Sequence, residues 1–137
     1  MRGDGAERLI LLVEDRKASA AALEIVVSDI DATSVRTLSN GAAAWSFLES
    51  GEGQSVCAVI TDLDMPLIGG LELIRRIRSS ALHAGTPVIV VSGTTDVNAP
   101  QRALEAGANA FFPKPWSPGK LRATLEQLLY ERDAARL

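Results

Sequence analysis

The stretch AVITDLDMP, residues 58–66, joins a strand-like apolar run to a pair of acidic residues. Its first four residues are apolar or β-branched, a pattern typical of a strand that is buried on both faces. The run then breaks into Asp62 and Asp64, and Pro66 follows two residues after Asp64. Because carboxylates rarely lie in buried surroundings without a partner, the pair raises the question of which chemistry uses them.

Four other apolar runs also predict strands, and the segments between them have helical spacing. The first helical segment places four apolar residues at i, i+3, i+4 and i+7, namely Leu23, Val26, Val27 and Ile30. Strands that alternate with helices and are apolar on both faces predict an α/β fold, with a parallel sheet between two layers of helices. The predicted strands are RLILLV (8–13), TSVRTL (33–38), VCAVIT (56–61), PVIVVS (87–92) and NAFFP (109–113).

The composition indicates one domain without a nucleic-acid-binding surface. The chain has 137 residues, of which 47% are hydrophobic, and this is enough for a single core. Its net charge of −3 argues against direct contact with nucleic acid. The predicted divisions are a flexible N-terminal tail over 1–7, a domain over 8–132 and a C-terminal tail over 133–137.

Cysteine content and hydropathy favour a cytoplasmic protein. Cys57 is the only cysteine, so it cannot form an internal disulfide, and it is expected to be a buried reduced thiol. The apolar run LILLV (9–13) is too short for a signal peptide or a bilayer span, so no membrane insertion is expected.

Polar residues predict several helix boundaries. The fourth helix is expected over about Asp96 to Ala106, with Gly107 as its C-terminal stop. Ser117 followed by Pro118 is a strong start signal for the fifth helix.

Two further predictions concern exposed charged residues. The third helix begins at about Gly70, and its arginines are expected to form a solvated face: Arg75, Arg76 and Arg78. His83, the only histidine, follows this helix in a polar loop and is expected to be solvated rather than a phosphoryl donor. A donor must then come from another molecule or from a missing part of a longer chain.

Residues with charged or hydroxyl side chains follow or end four of the five predicted strands. Taken singly, each of them could be a helix cap or a turn residue. Because ligands of open α/β sheets bind at the carboxyl ends of the strands, these residues are expected to converge, and caps and turns do not explain that combination. They are Glu14 and Asp15 at the first strand, Asp62 at the third, Ser92 at the fourth and Lys114 at the fifth.

This combination predicts a phosphorylation site that uses a divalent cation. Acidic groups crowded beside a single lysine repel one another, and a hard cation with oxygen ligands, most simply Mg²⁺, is the usual remedy. A carboxylate, a cation, a hydroxyl and a lysine suit a phosphoryl group in transfer. Asp62 is then the expected nucleophile, which forms an aspartyl phosphate.

The ordered motifs resemble those of the receiver domain of two-component response regulators. The resemblance covers Leu9 to about Tyr130 and rests on ED at 14–15, TDLDMP at 61–66, VSG at 91–93 and GANAFFPKP at 107–115. It implies a flavodoxin-like receiver fold, with a five-stranded parallel sheet in the order 2-1-3-4-5 and helices on both faces. It also implies a cis peptide bond between Lys114 and Pro115.

The resemblance implies a donor and a cation for Asp62. The donor would be a phosphohistidine on a sensor histidine kinase or a histidine phosphotransfer protein. Mg²⁺ would be held by Asp15, Asp62 and the main-chain carbonyl of Asp64, with Glu14 helping through water.

The resemblance also implies a switch. Ser92 would donate a hydrogen bond to the new phosphoryl group, Lys114 would pair with one of its oxygens, and Phe111 would change rotamer as Ser92 moves inward. The face formed by the fourth helix, the fifth strand and the fifth helix would then contact a downstream protein. Such a domain is a phosphoacceptor and not an enzyme in the usual sense. The two reactions that it catalyses, phosphorylation and a slow autodephosphorylation, both take place on the domain itself.

A haloacid-dehalogenase-type phosphatase is the alternative interpretation, because DLD at 62–64 resembles the D-x-D pair of that family. The motif lies mid-chain after another acidic pair, and no cap insertion is available to enclose a substrate, so the receiver is favoured. Asp64 departs from the amide or other polar side chain common in receivers, which leaves the dephosphorylation rate open.

Overall fold

Five parallel strands alternate with five α-helices in the computed structural model, which describes residues 8–31 and 33–136. In chain order the elements are β1 (Leu9–Val13), α1 (Lys17–Ser28), β2 (Ser34–Leu38), α2 (Gly41–Glu49), a short 3₁₀ helix (Gly51–Ser55), β3 (Val56–Thr61), α3 (Gly70–Ser79), β4 (Val88–Ser92), α4 (Ala99–Ala106), β5 (Ala110–Pro113) and α5 (Pro118–Ala135). The order across the sheet is β2-β1-β3-β4-β5, so the predicted α/β fold and the order 2-1-3-4-5 are confirmed. Among the described residues, no helix is long and apolar enough to cross a membrane.

The central strands are buried and end at the same edge of the sheet. All residues of β3 and β4 are buried, as the apolar runs predicted. Val13 pairs with Thr61 across β1 and β3, and Ser92 pairs with Pro113 across β4 and β5. The residues that follow these strands therefore emerge side by side.

The sheet separates two apolar clusters. Ile10 and Leu12 of β1 pack on the face covered by α1 and α5. Leu11 and Val13 pack on the opposite face, together with residues of α2, α3 and α4. This alternation follows from the period of two along a strand, and it makes both sides of the sheet part of the core.

Two predicted helix boundaries are confirmed. Ser117 Oγ accepts a hydrogen bond from Lys120 N at 3.3 Å at the start of α5. Gly107 follows α4 with a φ of 120°, a conformation that favours glycine. The peptide bond between Lys114 and Pro115 is cis, as the resemblance implied.

Other predicted bounds need correction. α1 ends at Ser28, so Ile30 lies beyond the helix although it is buried. α4 begins at Ala99 rather than at about Asp96, because the residues from 96 to 98 form a turn in which Asp96 Oδ1 accepts from Asn98 N at 2.9 Å. α5 continues to Ala135, so the boundary predicted at 132 falls inside it. The N-terminal tail predicted over 1–7 lies outside the described residues.

The prediction that the three arginines of α3 form a solvated face is wrong for Arg78. Arg75 is exposed, and Arg76 forms an exposed ion pair with Glu72 at 3.1 Å. Arg78 instead turns back toward the sheet and donates hydrogen bonds to Gly107 O at 2.8 Å and Thr86 O at 2.7 Å. These main-chain oxygens lie beside the end of α3 because the neighbouring loops fold against it.

The prediction that His83 is solvated is also wrong. Its side chain is buried, and its Nε2 lies 2.9 Å from the main-chain oxygen of Leu48. Because a carbonyl can only accept, Nε2 carries the hydrogen. Cys57 is buried as predicted, and burial raises the pKa of its thiol.

Candidate functional site

Four strand ends bring the predicted residues to one edge of the sheet. Glu14 directly follows β1, Asp62 follows β3 and Lys114 follows β5, while Ser92 is the last residue of β4. The strand ladder continues into this edge, since Asp62 N donates to Val13 O at 3.0 Å and Lys114 N donates to Ser92 O at 2.8 Å. The main chain that carries the side chains is therefore held by the sheet.

Three carboxylates form one acidic cluster. Oxygens of Glu14, Asp15 and Asp62 all lie within 4.8 Å of one another. Glu14 and Asp62 are buried, whereas Asp15 is exposed. Asp64 is exposed, and its carboxylate lies outside this cluster. The resemblance assigns the expected cation contact of Asp64 to its main-chain carbonyl and not to this carboxylate.

Lys114 supplies the counter-charge of the acidic cluster. Its Nζ lies 2.8 Å from Glu14 Oε1 and 3.1 Å from Asp62 Oδ2. Although partial burial lowers its pKa, hydrogen bonds and charge from Glu14 and Asp62 outweigh this and hold the pKa of Lys114 above its usual value. The lysine therefore stays protonated at neutral pH.

The carboxylate of Asp62 is oriented by the main chain that follows it. Its Oδ1 accepts from Leu63 N at 2.6 Å and from Asp64 N at 3.3 Å. Gly70 closes the loop, because its N donates to Leu63 O at 2.9 Å and a Cβ there would lie 2.4 Å from Asp62 O. Only glycine permits this approach, so Gly70 helps to set the position of Asp62.

The two predicted switch residues lie on the neighbouring strands. Ser92 is 1% exposed, and its Oγ accepts from Thr94 N at 3.2 Å. Phe111 is half-buried and packs against the cluster that contains Val90 and Ala103. The aromatic ring therefore lies between the sheet and α4, one strand away from Ser92.

Sequence reasoning missed two contacts of this site. Ser19 Oγ lies 3.4 Å from Lys114 Nζ, which gives the ammonium a third acceptor. Arg16 N donates to Glu14 Oε2 at 3.2 Å. No spacing signal pointed to Ser19, because its partner Lys114 lies 95 positions away in the chain.

In this α/β domain, carboxylates, a hydroxyl and a lysine meet at the carboxyl ends of parallel strands. Known proteins are similar to the chain in sequence and fold. A model of the response regulator receiver domain matches residues 10–126. The chemotaxis protein CheY homolog of Campylobacter jejuni is 29% identical over 120 residues, which is 88% of this chain and 91% of that protein. The cyclic di-GMP phosphodiesterase response regulator RpfG of Xanthomonas campestris pv. campestris is 34% identical over 124 residues, which is 90% of this chain and 32% of that protein.

Solved structures give the same result. The crystal structure of a putative response regulator from Chloroflexus aurantiacus has a TM-score of 0.81 and 28% identity, over 90% of this chain and 98% of that chain. The chain belongs to the response regulator receiver domain family. It is thus a receiver domain of two-component signalling, as the order of its motifs predicted.

Proposed function

We propose that this receiver is a phosphorylation-dependent switch that accepts a phosphoryl group on Asp62. The observation that carries the proposal is the buried carboxylate of Asp62, which lies 3.1 Å from Lys114 Nζ and within the acidic cluster. The donor is a phosphohistidine of a sensor histidine kinase or a histidine phosphotransfer protein. The family and the similarity to a chemotaxis protein CheY homolog support this class of partner.

Mg²⁺ fits the donor set. Oxygen atoms from Glu14, Asp15 and Asp62 are the hard ligands that this cation prefers, and their spacing within 4.8 Å suits a shared ion. Asp15 and Asp62, together with the main-chain carbonyl of Asp64, would hold the ion, and Glu14 would assist through water. When bound, Mg²⁺ neutralises charge on the acidic cluster and on the incoming phosphoryl oxygens.

The transfer exchanges a phosphorus–nitrogen bond for a phosphorus–oxygen bond. The carboxylate of Asp62 attacks phosphorus, and the imidazole of the donor leaves with the bonding electron pair and takes up a proton. Lys114 provides a fixed ammonium for an equatorial phosphoryl oxygen. Nζ donates to Glu14, Ser19 and Asp62 before the reaction, so it exchanges one of these acceptors for the phosphoryl oxygen without a change in its protonation.

Phosphorylation would act on the neighbouring strands. The new phosphoryl oxygens are strong acceptors, and the Ser92 hydroxyl, whose oxygen accepts from Thr94 N, can donate its own hydrogen to them. A displacement of Ser92 and the loop after it changes the space available to Phe111. The expected output is a population shift at the face formed by α4, β5 and α5, where a downstream protein binds.

Stoichiometry and turnover test this proposal together. Incubation with Mg²⁺ and acetyl phosphate is expected to load one phosphoryl group per chain as a hydroxylamine-labile acyl phosphate, and a chelator is expected to prevent loading. Many turnovers of a phosphate ester per chain would support the haloacid-dehalogenase-type phosphatase instead. Absence of both loading and turnover would contradict the proposal.

A further inference from the structure

One side chain fastens the α4–β5 turn to α3. Arg78 donates from Nε to Gly107 O at 2.8 Å and from Nη2 to Asn109 Oδ1 at 2.9 Å. Its Nη1 donates to Thr86 O at 2.7 Å and to Ala84 O at 3.1 Å. The planar guanidinium thus joins α3, the α3–β4 loop and the α4–β5 turn, a contact that the single ammonium of a lysine cannot reproduce.

The α4–β5 turn is shaped to receive this guanidinium. A Cβ on Gly107 would lie 2.5 Å from Arg78 Cγ, so the arginine passes where only glycine leaves room. Asn109 Oδ1 also accepts from Val88 N at 2.8 Å, and Asn109 N donates to Val88 O at 2.8 Å. The C-terminal end of α4 is therefore tied both to α3 and to the first residue of β4.

In the part of the chain that the structure describes, the hydrogen bonds and the ion pair at the N-terminal end of α4 are all short-range. Asp96 Oδ2 pairs with Arg102 Nη1 at 2.9 Å, but both side chains are exposed, and such pairs contribute little to stability. Asn98 caps the helix without a side-chain hydrogen bond. Among the described residues, the remaining hydrogen bonds of 94–98 reach only this segment, the first turn of α4 and Ser92.

Space for movement lies at the same end of α4. A cavity of about 230 Å³ separates the first turn of α4 from the loop between β3 and α3. Its wall includes Asp64 and Gly70 on one side and Thr94 and Ala99 on the other. The N-terminal end of α4 thus borders a cavity next to the acidic site, while Arg78 holds the C-terminal end by hydrogen bonds.

We propose that Arg78 is a positioning residue of the switch, an inference that rests on the phosphorylation of Asp62 proposed above. Arg78 fixes the C-terminal end of α4, so phosphorylation moves the N-terminal half of the helix and leaves the turn at Gly107 in place. The helix then tilts about Gly107 instead of sliding along the sheet. A downstream protein recognises the changed position of the first turns of α4.

Amide hydrogen exchange of the unaltered chain tests the tilt. The chain is measured with Mg²⁺ alone and with Mg²⁺ and beryllium fluoride, a mimic of the phosphoryl group. Exchange is expected to change by about tenfold or more over residues 94–103 and by less than about twofold over 107–110. A change at 107–110 as large as that at 94–98 would overturn the hinge while leaving phosphorylation intact. No response anywhere, including the residues next to Asp62, would contradict the proposed function and the hinge with it.

A pair of matched variants tests the role of Arg78. Arg78→Lys keeps the positive charge but loses most of the hydrogen bonds, and Arg76→Lys makes the same change at an exposed position of the same helix. With Arg78→Lys, the response to beryllium fluoride is expected to extend to 104–110, whereas Arg76→Lys keeps the parent pattern. An arginine with a merely structural role would raise exchange equally with and without beryllium fluoride, and that result would overturn the proposal.

A second variant, Asn109→Ala, tests the same contact in case Arg78→Lys does not fold. Asn109→Ala removes the oxygen that accepts from both Arg78 Nη2 and Val88 N, and it leaves the arginine in place. It is expected to extend the response in the same direction and over fewer residues, with near-native circular dichroism as the check on folding. A parent-like response in folded Asn109→Ala and in folded Arg78→Lys would show that the contact does not direct the movement of α4.

Discussion

Lys114 Nζ lies 2.8 Å from Glu14 Oε1, and the side chain of Glu14 has no exposed surface. The two residues are separated by 100 positions in the chain and follow different strands, β1 and β5. A buried carboxylate is stable only when its charge is compensated. This ion pair therefore stabilises the folded state and also forms part of the proposed phosphorylation site, and it gives predictions for both.

Removal of the ammonium should destabilise the protein in the absence of Mg²⁺. Lys114→Met leaves Glu14 and Asp62 without their cation, and the expected loss in the free energy of unfolding is about 2–3 kcal/mol. Urea unfolding measures the loss, and Lys120→Met, at an exposed position of α5, is the matched control. Saturating Mg²⁺ should narrow the difference between parent and Lys114→Met, because the cation compensates the same carboxylates. An unchanged difference would argue against a shared cation.

The contribution of Lys114 should also depend on pH in a defined direction. Its pKa is raised in the folded state, so the stabilisation is fully present below the usual lysine value of 10.5 and is lost as the pH rises above it toward the folded value. The difference in unfolding free energy between parent and Lys114→Met should stay constant from about pH 7 to about pH 9.5 and shrink above about pH 10.5. A difference that already falls between pH 7 and pH 9 would contradict the raised pKa.

Phe111 should transmit the signal without being needed for the chemistry. Phe111→Ala removes a half-buried ring that packs toward α4, so phosphorylation should stay within about tenfold of the parent, one decade being about 1.4 kcal/mol. The response of residues 93–115 to beryllium fluoride should be largely lost, as measured by amide chemical shifts. Phe112→Ala is the matched control, because its ring packs on the opposite face of the sheet. An unchanged response in Phe111→Ala would mean that the ring only fills the core.

The buried histidine should behave as a core residue. His83→Ala removes the hydrogen bond to Leu48 O and leaves a void, so the expected cost is about 1–3 kcal/mol in the free energy of unfolding. Arg75→Ala, which alters an exposed residue, should cost no more than about 0.5 kcal/mol. If the two substitutions lowered the free energy of unfolding in urea equally, the result would contradict a core role of His83 and support a solvated side chain.

The sequence was sufficient for the sheet and for the edge where the site lies. Apolar runs such as VCAVIT indicate strands that are buried on both faces, and parallel strands end at a common edge of the sheet. The polar residues that follow these strands could therefore be assigned to that edge from the sequence alone. Helix ends with strong signals, such as Ser117 and Gly107, were equally accessible.

Contacts between distant parts of the chain were not accessible in this way. Arg78 lies in locally polar sequence and His83 in a segment between two predicted elements, and both positions are typical of solvent exposure. Their partners include main-chain oxygens 29 and 35 positions away, at Gly107 and Leu48. Every residue carries such an oxygen, so no side-chain pattern identifies the partner, and only the folded arrangement of the loops does.

Chemical mapping of the acyl phosphate tests the central claim most directly. After loading with acetyl phosphate and Mg²⁺, borohydride reduction converts a phosphorylated aspartate to homoserine, which peptide mass spectrometry locates. The account predicts homoserine at position 62 in the parent and in Asp64→Asn, and none at any position in Asp62→Asn. Substantial labelling of Asp62→Asn, or labelling of the parent at Asp15 or Asp64 in place of Asp62, would contradict it.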